Sequence, residues 1–188
     1  MSRDLVSSVE SEFQRYKTLA EGAMEQVGDA ALSAAGPGDQ NSIAIIVWHI
    51  SGNLTSRFTD FLTTDGEKPW RHRDEEFDRR EVSRAELNDK WARGWAVAFA
   101  TIGELTDADL SRVVHLRAQP IAVAEALHRA LAHVSYHVGQ IVYLAKCWRG
   151  DAWQYLSIPP GQSAAYNRHP TRERADAHTS ALKPTADR

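Results

Sequence analysis

The chain has 188 residues, 43% hydrophobic and 25% charged, with a formal net charge of −3 and a single cysteine, Cys147. Those values fit one globular domain with a real core and exclude a disordered chain. No basic stripe favours nucleic acid, no apolar run approaches the ~18 residues of a membrane span, and one cysteine excludes an intrachain disulfide.

The opening "MSRDLVSSVESEF" is charged from its third residue and lacks the apolar core of a signal peptide, so the expectation is a cytoplasmic protein. Leu5, Val9, Phe13, Tyr16, Leu19, Ala20, Ala23 and Val27 recur at three- and four-residue spacings. They predict an amphipathic helix over roughly residues 3–34, stopped by "GPGD" at 36–39. A second helix begins near Asn41 or Ser42, either of which suits a cap, and its stripe runs from Ile43 through Ile50, Leu54 and Phe58 to Leu62. Residues 64–82, "TDGEKPWRHRDEEFDRREV", are polar and aperiodic. A connection longer than ~12–15 residues is either functional or wrapped over the domain, and Trp70 and Phe77 are the residues able to pin it.

"SRAE" at 83–86 fits a capping box and opens a third helix, with Leu87, Trp91, Ala98, Ile102 and Leu105 on its stripe. "TDADLSRVVHLRAQP" predicts a short turn or hairpin with weak strand character. Pro120 is expected to open the fourth helix, which continues to about Trp148 before Gly150. Residues 151–167 read as an ordered extended segment returning across the helices, and 168–188 as a flexible tail. The predicted architecture is all-α: a four-helix bundle domain over 1–167, with a long loop between helices two and three.

His133 and His137 stand four apart in "LAHVSYHVGQIVYLAK", so both imidazoles leave one face of the helix. At ~100° per residue they lie on the shoulder of the stripe formed by Leu127, Leu131, Val134, Val138, Ile141 and Ala145. A metal site in a bundle needs ligands from more than one helix. His49, beside the stripe of the second helix, supplies a third imidazole. Three protein ligands leave positions for water and substrate, the pattern of catalytic rather than structural zinc. Nickel, iron and manganese also accept imidazole. The competing reading is three histidines hydrogen-bonded at the bundle shoulder. Val134 follows His133, so the H-E-x-x-H pattern with its glutamate base is absent.

"IAIIVWHISGNLTSRFTDFLTTDGEKPWRHRDEEF" and "ALHRALAHVSYHVGQIVYLAKCW", with the "SIPPGQS" turn, resemble the DinB-like superfamily, and more closely an uncharacterised bacterial branch of it. The resemblance runs from about residue 5 to 167. It implies a four-helix bundle, often dimeric, in which a histidine of the second helix and an H-x-x-x-H pair of the fourth bind a divalent metal. Those positions fall on His49, His133 and His137. Some members of the superfamily are S-transferases or isomerases that use a low-molecular-weight thiol, and others are described as hydrolases on fold alone. Fold by itself does not establish a reaction.

Gln140 and Asn53 are candidates to support the ligands from behind. Gly139 is expected to mark a close helix approach. Cys147, ~15 Å further along the axis than His137, is too distant to be a ligand and is expected to be packed and inert. His128 points ~140° away from His133. His72, His115, His169 and His178 are expected in solvent, and Tyr136 and Tyr143 in packing or dimer contacts. Arg71 and Arg73, flanking Trp70, either close over an anionic substrate or stay solvated. With the three-histidine pattern, the resemblance implies a zinc- or nickel-dependent transferase or hydrolase acting on a small molecule as a homodimer. The alternatives are a metal-stabilised structural or sensing protein and a metal-free, stress-related dimeric scaffold.

Overall fold

A computed structural model describes residues 2–170. The chain is mostly helical, with one small two-stranded sheet among the described residues. Four long helices share a core: α1 (Asp4–Met24), α3 (Ile43–Phe58), α4 (Arg84–Glu104) and α5 (Val123–Arg149). The short α2 (Asp29–Ser33) follows α1, and a last turn, α6 (Ser163–Tyr166), ends the described chain. Helix α3 packs along α4 and α1 along α5, while α3 also meets α5 and α1 meets α4. No helix among the described residues is long and apolar enough to cross a membrane.

Local chemistry fixes the helix ends. The Ser42 hydroxyl accepts from the Ile45 N–H at 3.2 Å and starts α3. Ser83 and Glu86 form the expected capping box of α4. The first turn of α1 is capped from a distance, since Asp107 Oδ1 accepts from the Val6 N–H at 3.0 Å. Arg3 returns the favour by donating to the carbonyls of Ile102 and Leu105 at the end of α4. A cation there also meets the negative end of the helix dipole. Phe13, Phe58 and Trp95 meet edge to face in the middle of the core. A side chain at Gly94 would come within 2.7 Å of the Ser51 Cα, so α3 and α4 touch through backbone there.

The first predicted helix breaks into α1 and α2, because Met24 already closes its buried stripe and Gly28 adopts an extended conformation. Helix α3 stops at Phe58 rather than near residue 62, although Phe61 still packs into the core. Pro120 does not open a helix. It lies in β2 (Gln119–Ala122), which pairs antiparallel with β1 (Val113–Leu116) around a two-residue turn. That turn makes Leu116–Gln119 a hydrogen-bonded pair, so the next pair, His115–Pro120, is a non-bonded one. Proline therefore sacrifices no ladder bond. Arg117 and Ala118 carry the turn at φ +54° and +58°. The Asp65 carboxylate accepts from both of their N–H groups and from that of Glu67, at 2.7–2.8 Å. The 64–68 segment is thereby tied to the hairpin, with Gly66 N–H donating to the His115 carbonyl at 2.8 Å.

The segment after α5 does return across the helices: Leu156 is buried, and the Gln154 backbone exchanges two hydrogen bonds with the Gln26 side chain. Of the expected tail, residues 171–188 lie outside the described residues. Gly139 marks no close approach, because nothing stands within 4 Å of where its Cβ would be. Cys147 is exposed rather than packed, since it leaves α5 on the side away from the buried stripe.

Candidate metal centre

His49 projects from the middle of α3 and is only 4% exposed. His133 and His137 project from successive turns of α5 and are half-buried. The three rings stand edge to face, with centroids 4.6–5.0 Å apart. One ligand nitrogen from each lies within 4.8 Å of the others. His49 Nε2 and His133 Nε2 are 3.0 Å apart.

The protons of these rings are set from behind. Glu76 Oε2 lies 2.8 Å from His49 Nδ1, and both Glu76 oxygens accept from Arg71, at 2.8 Å from Nε and 2.9 Å from Nη2. Burial raises the pKa of the Glu76 carboxyl, but the hydrogen bonds from His49 and Arg71 outweigh it and hold the group below its ordinary value. An ionised carboxylate only accepts, so Nδ1 of His49 is the donor, and the neutral tautomer this selects leaves a lone pair on Nε2. His137 is set the same way, with its Nδ1 2.8 Å from Gln140 Oε1. Burial lowers the pKa of His137. Burial, with His137 and His49 adding to it, pushes His133 down to about 3. At neutral pH these two rings are uncharged, the form in which imidazole binds metal. His133 Nδ1 is buried with no hydrogen-bond partner among the described residues.

The long loop supplies the part of the centre that sequence reasoning missed. A single 3₁₀ turn, Asp74–Phe77, brings Glu76 to the back of His49 and lays the Phe77 ring 4.7 Å from the His49 ring. Gly52 makes room for the carboxylate, since a Cβ there would sit 2.1 Å from Glu76 Oε1. The Arg71 side chain is buried in this arrangement, whereas that of Arg73 is more exposed and lies over the Phe77 ring. Trp70 is exposed and does not pin the loop. No periodicity marks Glu76 in the sequence, and the excess length of the loop is the only signal that pointed here.

The other candidates divide. Gln140 supports His137 directly. Asn53 lines a cavity that adjoins His133, and its amide bonds no other described residue. His115 is exposed, as expected, and also borders the same cavity from β1. His72, His128 and His169 are exposed, and His178 lies outside the described residues. Tyr136 and Tyr143 are both exposed.

The fold and the site define a helical protein with a three-histidine cluster that has the donor chemistry of a metal centre. The chain belongs to the family described as "Protein of unknown function (DUF1572)", whose model matches residues 1–162. It is similar in fold to a solved structure described as "Crystal structure of the conserved protein of locus from Enterococcus faecalis". That likeness has a TM-score of 0.57 and 18% sequence identity, and covers 79% of this chain and 98% of the other. No curated protein matches the chain.

Proposed function

We propose that His49, His133 and His137 hold a divalent metal ion, zinc or nickel before iron or manganese, in a four-helix bundle of DinB-like type, and that the chain is a metal-dependent enzyme. The observation that carries this reading is the fixed orientation of two rings from two helices. Glu76 and Gln140 each occupy an Nδ1, which leaves Nε2 of His49 and of His137 as the ring nitrogen available to a ligand. Carboxylate or amide partners behind ligand histidines are the usual supports of a metal centre. Three imidazoles fit zinc and nickel, and the donor set has no thiolate and no carboxylate pointing inward. A divalent ion there would supply Lewis acidity, making a nearby water or thiol a better nucleophile at neutral pH.

Both oxygens of Glu76 are engaged by His49 and Arg71. That makes it a positioning residue rather than a general base, and no other carboxylate joins the histidine cluster among the described residues, which favours thiol S-transfer over hydrolysis. The resemblance to thiol-using DinB-like proteins points the same way. A structural role for the metal is the second reading. It is disfavoured because closed structural sites usually show four protein ligands, whereas three stand here and one of them, His133, lines a cavity.

The test is metal content. Untagged protein purified from metal-replete cells is expected to carry about one equivalent, and His137→Ala to lose most of it. A wild-type chain that stays essentially metal-free, with added zinc and nickel leaving no trace after desalting, would sink the reading. Loaded protein would then be screened for thiol conjugation with bacillithiol or mycothiol and for ester hydrolysis. Large thermal stabilisation by metal without any turnover favours the structural role.

A further inference from the structure

Next to the histidine cluster lies a cavity of about 190 Å³, with His133 in its wall. An apolar cavity of ~150 Å³ is enough to hold benzene, so this one takes a single ring with a short substituent. Its body is apolar, built from Phe58 at the end of α3, from Phe61 in the turn beyond it, and from Val114, Leu116 and Ile121 of the hairpin. Its charged lining is of one sign: Arg57 and Arg129 border it, and no aspartate or glutamate does.

The two arginines differ. Arg57 is spent on the protein, donating to the Gly66 carbonyl and to Glu67, whose charge offsets its own. Arg129 has no ion pair or hydrogen bond to any described residue, and its side chain is exposed at the cavity mouth. It stands one helical turn before His133, so the two residues occupy neighbouring places on one face of α5. Asn53, one turn after His49, adds an amide without a partner among the described residues. A low-dielectric pocket lined by a single sign of charge concentrates ligands of the opposite sign. A free guanidinium is the side chain best shaped to grip a carboxylate.

We infer that this cavity binds a small organic anion, a carboxylate on a ring-sized apolar body, with its charge on Arg129 and the body extending toward His133. The inference rests on the reading of the histidine cluster as the reactive centre and names the substrate class of that centre. It separates substrate recognition, on Arg129 and the hairpin, from the chemistry at the three histidines.

The probes are benzoate and its uncharged counterpart benzyl alcohol, titrated by NMR or calorimetry into the full chain. Chelator-treated protein is used, so that direct coordination cannot supply the affinity. Benzoate is expected to bind about tenfold or more tightly than benzyl alcohol, since a charge-assisted pair contributes at least that much. Arg129→Gln should erase the preference while leaving benzyl alcohol binding intact. Ala126→Phe, which fills the cavity from α5, should abolish binding of both. The inference is overturned if benzoate does not bind by ~10 mM, if the two probes bind alike, if the preference survives Arg129→Gln, or if binding survives Ala126→Phe. Metal content measured on each preparation before chelator treatment keeps the two readings apart. Anion selectivity without metal binding overturns only the metal reading, and metal binding without selectivity overturns only this one.

Discussion

Replacing a mid-helix glycine with alanine ordinarily stabilises a helix by roughly 1 kcal/mol. Gly52→Ala should do the reverse. The new Cβ would stand 2.1 Å from Glu76 Oε1 and 2.8 Å from its Cδ. A flexible carboxylate would swing aside at little cost, but this one is buried and held by His49 and by two nitrogens of Arg71. Moving it leaves Arg71 buried without its counter-charge, and breaking a buried pair costs ~3–5 kcal/mol. After the propensity gain, the expected net loss is ~2–4 kcal/mol in urea unfolding of the metal-free chain. Metal affinity should fall ~10–100-fold with it, because His49 loses the group that fixes its tautomer. Gly139→Ala is the matched control, with nothing within 4 Å of its Cβ, and should follow the ordinary rule by gaining up to ~1 kcal/mol. A Gly52→Ala protein as stable as wild type or more so, with undiminished metal affinity, would refute the role given to Glu76.

Gln140→Ala should weaken metal binding about tenfold, read by competition with a chelator, while leaving the fold intact. The metal-free chain should lose stability as pH falls from 7 to 5. Unfolded histidine takes up a proton near 6.5, whereas folded His133 resists until about 3, so the unfolded state binds more protons throughout that window. Carboxylates stay largely ionised over this range, and the loss, discounted for partial exposure, is about 1–2 kcal/mol at pH 5. Urea midpoints measured at both pH values check it, and a flat profile would contradict the half-buried placement of His133. Ala118→Gly should raise stability by ~0.5–1 kcal/mol in thermal melts, since Ala118 occupies a left-handed turn at φ +58°.

Much of the helical layout was legible because burial imposes a period on the sequence. The stripes of α3, α4 and α5, the Ser83 capping box and the shared shoulder of His133 and His137 all follow from residue spacing. Where the structure differs, the cause is non-local. Pro120 sits in a strand because pairing with His115 places its missing N–H outside the ladder. The helix break after Met24 and the burial of Arg71 and Glu76 depend on what packs against them. A carboxylate in an aperiodic, charged loop looks solvated until the fold sets it behind a histidine. Asn53 and His115 likewise gain meaning only from the cavity that α3, α5 and the hairpin enclose together.

His49 and His133 are 84 residues apart in the chain and 3.0 Å apart in space. An ion held by both would therefore act as a cross-link. By the loop-closure entropy that describes disulfides, tying a loop of that length removes roughly 4–5 kcal/mol of freedom from the unfolded chain. The loop so closed contains the whole of α4, the hairpin and the segment carrying Glu76. In such a chain, mutations anywhere between the two histidines would be partly masked when metal is plentiful and exposed when it is scarce, so tolerance of sequence change would itself follow metal supply.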